Sequence, residues 1–121
     1  MIPYQKWSIP VSSMTIEQLL NDSYDTARDK GWADDGRTFG DHIALMHSEL
    51  SESLEEFRNG HPLDEIYTVG GKPEGVPVEL ADVFIRIAML SKQHSIPLEQ
   101  ALLVKSAFNA TRSFRHGNKR I

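Results

Sequence analysis

The chain contains no cysteine. That absence excludes a disulfide framework, a thiolate metal centre and a cysteine nucleophile. No apolar run approaches the roughly 20 residues that cross a bilayer, and the densest stretch, Val83 to Leu90, is broken by Arg86. The segment MIPYQKWSIP lacks the apolar core of a secretory signal. These absences together lead to the expectation of a cytoplasmic protein without a membrane partner. There is no GxxxxGK[ST] and no GxGxxG, which removes the P-loop and dinucleotide-binding classes. Neither GxSxG nor a Cys/His pair is available for acyl transfer. HExxH and ExxH are also absent, which argues against zinc hydrolysis and ferritin-like di-iron chemistry.

Basic residues are scarce through the middle of the chain. From Asp41 to Asp82 there are 10 acids and only two bases, Arg58 and Lys72. From Gln100 onward there are five bases (Lys105, Arg112, Arg115, Lys119 and Arg120) and no acid. An acidic half with a basic end suits a site that holds cations and phosphates together; two solvated faces of opposite sign are the alternative. The net charge of -4 and the shortness of the basic end disfavour nucleic acid as a partner.

What is present fits one small helical domain. The 121 residues are 40% hydrophobic and 25% charged, ordinary values for a globular chain. An irregular arm is expected over 1–13 and a basic tail over 113–121. Thr15 with Gln18 resembles a capping box, and Ile16, Leu19, Leu20, Tyr24 and Ala27 recur at helical spacing, predicting a first helix near 15–30. Phe39, Ile43, Met46, Leu50, Leu54 and Phe57 form an apolar stripe that predicts a second, over 39–58. Gly60 to Pro77 holds four glycines and three prolines and reads as a long loop. VELADVFIRIAML is apolar nearly all round, which predicts a central buried helix over 78–94. Pro97 in a first turn, capped by Ser95, predicts a fourth helix ending near Arg112. The expected fold class is all-α, four helices with a long loop between the second and third.

The second helix stacks carboxylates. On a wheel of 100° per residue Glu49, Glu52 and Glu56 fall within about 60° of one another. Like charges three and four apart repel, so such a stripe is left in water or neutralised by a cation. Glu79 and Asp82 repeat the i,i+3 spacing in the most apolar helix, where an unpaired carboxylate is costly. A hard divalent cation bridging the two helices answers that cost with an all-oxygen ligand set. Arg86, at i+4 from Asp82, offers an ion pair as the structural alternative.

Glu49-Leu50-Ser51-Glu52 on one helix and Glu79-Leu80-Ala81-Asp82 on the next, 26 residues on, resemble the paired motifs of the MazG-like all-α nucleoside triphosphate pyrophosphohydrolases. The contexts HSELSESLEEF and PVELADVFIRI match as well, as does a KxxxNxxR-type fourth helix. The resemblance spans about Phe39 to Gly117. It implies a four-helix MazG-like bundle and Mg²⁺-dependent cleavage of a (d)NTP to (d)NMP and pyrophosphate, in nucleotide-pool control, with Mn²⁺ able to substitute. Glu49, Glu52, Glu79 and Asp82 would be the metal ligands, with Glu49, Glu52 and Glu56 the catalytic carboxylates. A homodimer or homotetramer is implied, with sites near the subunit interface. A non-catalytic nucleotide- or partner-binding helical module is an alternative, as is a phosphoribosyl-ATP pyrophosphohydrolase-like enzyme.

Lys105, Asn109 and Arg112 share one face of the fourth helix and are candidate phosphate ligands, the alternative being a solvated face. Arg115 and Lys119 follow in the tail, and Lys72 lies beside Gly70-Gly71 in the long loop. For a base, Trp32 is the first stacking candidate, with Tyr24 a second aromatic; Asn21 and His42 are candidates to read base edges.

Overall fold

A computed structural model describes residues 14–33 and 36–114. The arm over 1–13 and the candidates Arg115 and Lys119 lie outside the described residues. The order is α1 (Ile16–Asp29), α2 (Phe39–Arg58), β1 (Tyr67–Val69), β2 (Lys72–Glu74), α3 (Val76–Gln93) and α4 (Leu98–Thr111). The fold is mainly helical. No helix among the described residues is long and apolar enough to cross a membrane.

Local chemistry sets the helix ends. Thr15 and Gln18 form the reciprocal capping box of α1, and Thr38 with Asp41 repeats it at α2. Three helices end in the same Schellman pattern, with the residue after the cap in the left-handed region. In α1 Gly31 and Trp32 donate to Arg28 and Ala27; in α2 Gly60 and His61 donate to Phe57 and Glu56. In α3 the left-handed residue is Ser95, at φ 54°, and Ser95 and Ile96 donate to Lys92 and Ser91. Ser95 therefore closes α3 and does not cap α4, whose N-cap is Pro97 without a side-chain cap.

The long loop is not irregular throughout. Tyr67–Val69 and Lys72–Glu74 pair antiparallel about Gly70-Gly71, whose positive φ values match a two-residue hairpin turn. Three-residue strands are too short for an alternating pattern, so only the Gly-Gly pair marks them in the sequence. Gly75 joins the hairpin to α3 at φ 124°, and a Cβ there would overlap the Glu65 carbonyl oxygen. Only glycine fits, and α3 begins at Val76, two residues before the predicted start.

α2 and α3 form an antiparallel pair, with the Phe39 ring edge-on to His94 at 5.9 Å at one end. α1 lies along α3, joined by Lys92 to Glu17 at 3.2 Å and by Gln93, which donates to the Ala33 carbonyl at 2.7 Å. The core is small: Ala27, Ala33 and Met89, with Tyr24 packed against them. Burial in α3 is concentrated at its C-terminal half, Ala88 to Ser91, whereas Leu80, Phe84 and Ile85 are exposed. The expected all-round burial of α3 is thus absent within the described chain: one face of its N-terminal half, with Val76 and Glu79, is buried, and the face with Leu80 and Phe84 is left uncovered. No residue of α4 is buried.

Candidate functional site

The rotation of α2 decides what the site is. His42, Ile43, Leu45, Met46, Glu49, Ser53 and Glu56 are the buried or half-buried positions. Phe39, Leu50, Leu54 and Phe57 are exposed. The carboxylate stripe therefore turns toward α3, and most of the apolar stripe turns outward.

Glu49, Glu79 and Asp82 each offer one oxygen within 4.8 Å of the others. Octahedral ligand oxygens about a small divalent ion are spaced at about 3–4 Å, so modest closure seats one. Glu79 is buried and also belongs to a second such group, with Glu56 and Glu74. Glu52 is exposed and hydrogen bonds to Glu79. Burial, then that hydrogen bond, then the charges of Glu52, Asp82 and Glu49 push the Glu79 carboxyl up to about 8. Burial, followed by the charge of Glu49, also raises Asp82.

Arg86 is part of this site, but not as the spacing suggests. Its Nε donates to Glu49 Oε1 at 3.0 Å, across to α2. Its charge also acts on Asp82, opposing the rise. One guanidinium faces Glu49, Glu52, Glu79 and Asp82. Even with Glu79 protonated, the carboxylates outnumber the cations that act on them, Arg86 and Lys72. On donor chemistry and spacing these residues fit Mg²⁺ or Mn²⁺.

Glu56 is held in place. Tyr67 Oη lies 3.0 and 2.8 Å from its two carboxylate oxygens and donates to them. That hydrogen bond is the main reason the Tyr67 hydroxyl is raised to about 12. His61 stacks on Tyr67 with centroids 4.5 Å apart. Its Nε2 is 3.5 Å from Glu56 and its Nδ1 is 2.8 Å from Glu65. Sequence reasoning missed His61, Tyr67, Glu65 and Glu74, since the hairpin that gathers them has almost no sequence signal beyond its two glycines.

Beside the acidic centre, α1, α2 and α3 enclose a cavity of about 540 Å³. Leu19, Ile85, Met89 and Trp32 give it apolar walls; Glu49, Asp82 and Arg86 form one side. Asp22, Ser23 and Thr26 line it from α1, and Arg37 from the segment before α2.

Of the base candidates, Trp32 lines this cavity and the other three do not. Tyr24 packs on the core. Asn21, on the exposed side of α1, hydrogen bonds to Glu17. His42 is 1% exposed with both ring nitrogens unpaired, so burial puts it out of reach of a ligand in the cavity. The phosphate candidates are not gathered either. Lys72 is exposed and pairs with Glu74 at 3.4 Å, its charge reaching Asp82. Lys105 and Arg112 flank the exposed Phe108 ring of α4, and Asn109 is exposed on the same helix.

The class defined so far is a helical protein with a partly buried carboxylate centre beside an apolar cavity. No protein-family model, curated protein or solved structure matches the chain.

Proposed function

We propose that the protein is a divalent-metal-dependent nucleoside triphosphate pyrophosphohydrolase with a MazG-like bundle, acting in the cytoplasm on the nucleotide pool. The observation that carries this reading is the convergence of Glu49, Glu79 and Asp82 beside a cavity large enough for a nucleoside. Glu49, Glu52, Glu79 and Asp82 would hold the cation. When bound, it supplies polarisation of a phosphoryl oxygen and lowers the pKa of water. Glu56, oriented by Tyr67 and His61, would take the proton of the attacking water. Arg86 can turn from Glu49 to a phosphate oxygen once a cation replaces it there. The cavity holds the nucleoside, with Trp32 against the base. Cleavage at the α–β bond follows from the motif resemblance.

Association of copies belongs to the same reading. Leu54, Phe57, Phe84, Leu103, Val104 and Phe108 are each more than half exposed. Large exposed apolar side chains on three helices support an interface. A homodimer or homotetramer would cover them and bring Lys105, Asn109 and Arg112 within reach of a second copy's phosphates.

The test is incubation of the protein with Mg²⁺ or Mn²⁺ and a panel of ribo- and deoxynucleoside triphosphates, with products separated by ion exchange. Monophosphate plus pyrophosphate is expected. Diphosphate plus phosphate would move the cleaved bond. Absence of turnover in the folded, metal-loaded protein would favour a binding module, in which the Arg86–Glu49 pair is structural.

A further inference from the structure

We infer that the cavity between α1, α2 and α3 selects guanine, through the carboxylate of Asp22. The inference rests on the reading of that cavity as a nucleoside site. Carboxylates line it on two sides, Glu49 and Asp82 with Arg86 on one and Asp22 of α1 on the other, and Arg37 also lines it. A phosphate reaches the first side through a cation and through Arg86, whereas a carboxylate that accepts no hydrogen bond among the described residues, as at Asp22, favours a donor over an anion. The part of a nucleotide that approaches Asp22 is therefore a donor edge of the base. Asp22 and Thr26 are i,i+4 on one face of α1, opposite Ile85 and Met89, which are i,i+4 on α3. A planar ring lies between these faces with Trp32 beside it.

The edges of the bases then rank themselves. Guanine presents N1–H and the N2 amino group side by side, two parallel donors that match the two oxygens of a carboxylate. Adenine and cytosine each offer an amino group beside a ring-nitrogen lone pair, which repels the second oxygen. In uracil and thymine the N3–H sits between two carbonyl oxygens, and both repel. No hydrogen bond or ion pair engages Asp22 among the described residues, so its oxygens are available.

Hypoxanthine isolates the claim, since it keeps N1–H and O6 and lacks only the 2-amino group. Binding of GMP and IMP in the presence of Mg²⁺ is measured by titration calorimetry, for the native chain and for Asp22→Ala. Asp22 is exposed in mid-helix, where alanine preserves the fold. GMP is expected to bind about tenfold more tightly than IMP, the size of one charge-assisted hydrogen bond, with the ratio falling to near one in the variant. Equal binding by the native chain, a preference that survives Asp22→Ala, or no binding of either nucleotide would each overturn the assignment. GMP selectivity without GTP turnover would sustain it and refute the pyrophosphohydrolase reading instead.

Discussion

One side of α2 carries Glu49 and Glu56 against α3 and the hairpin, while the other carries Phe39, Leu50, Leu54 and Phe57 outward. An ordinary amphipathic helix does the reverse. The inner side mixes the half-buried Ile43, Leu45 and Met46 with acids whose desolvation it bears; the outer side leaves its apolar surface in water. The difference teaches that the two faces are completed by different things. Charge completes the inner face and apolar contact completes the outer one, so each should respond to a variable that leaves the other untouched. Divalent cation concentration addresses the inner face, and protein concentration addresses the outer.

The largest expected effect is at the inner face. Asp82→Asn removes a carboxylate from the proposed cation site, and turnover should fall by about a thousandfold or more. Because like charge is also removed, the chelator-treated variant should melt at or above the native temperature. A variant that loses turnover and stability together would mean that Asp82 is held by a structural ion pair. At the outer face, Leu54→Asp should weaken self-association by about a hundredfold, as for loss of a central anchor, with sedimentation as the readout. Sedimentation of the native chain as a pure monomer would remove the interface altogether.

The inner face should also respond to pH. The Glu79 carboxyl titrates near 8 in the folded chain against 4.5 as its ordinary value. The folded state thus binds the extra proton, and stability is fully present below about pH 4.5 and lost as pH rises through about 8. In chelator the melting temperature should fall across that window, by roughly several degrees. Saturating Mg²⁺ should flatten or reverse the trend, since the cation replaces the proton. A chelator-treated chain whose melting temperature is level over the window would show that Glu79 is not crowded by its neighbours.

Much of this was legible in the sequence, and the limits have physical causes. Helix positions follow from periodicity and caps, and Thr15 with Gln18 forms the box its spacing predicts. The grouping of Glu49, Glu79 and Asp82 follows from i,i+3 spacing on two helices that pack. The rotation of α2 was not legible, because an apolar stripe points toward apolar contact in general and does not say whether its own chain supplies it. His42 is the clearest case: seven residues before Glu49, it shares the acidic stripe, and at its position that side of α2 is buried. The Tyr67–Glu56 contact depends on a hairpin whose strands are three residues long.

The smallest effect tests whether a change can be neutral to both faces. Ser95 ends α3 in the left-handed region, where a Cβ is disfavoured and Gly31 and Gly60 serve at the corresponding positions of α1 and α2. Ser95→Gly relieves that strain, about 1 kcal/mol, and returns part of it through the greater freedom of the unfolded chain. The net should be a stabilisation of about 0.5 kcal/mol, or a rise of roughly 2–3 °C in Tm. Ser95 touches neither the acidic centre nor the apolar stripe of α2, so the gain should be the same with Mg²⁺ or chelator and at any protein concentration. It does lead directly into α4, whose side chains after Leu98 are all exposed. A gain that grows with protein concentration would therefore mean that the turn sets the angle at which α4 meets a second copy, and the outer face would then extend through Ser95 to the end of the described chain.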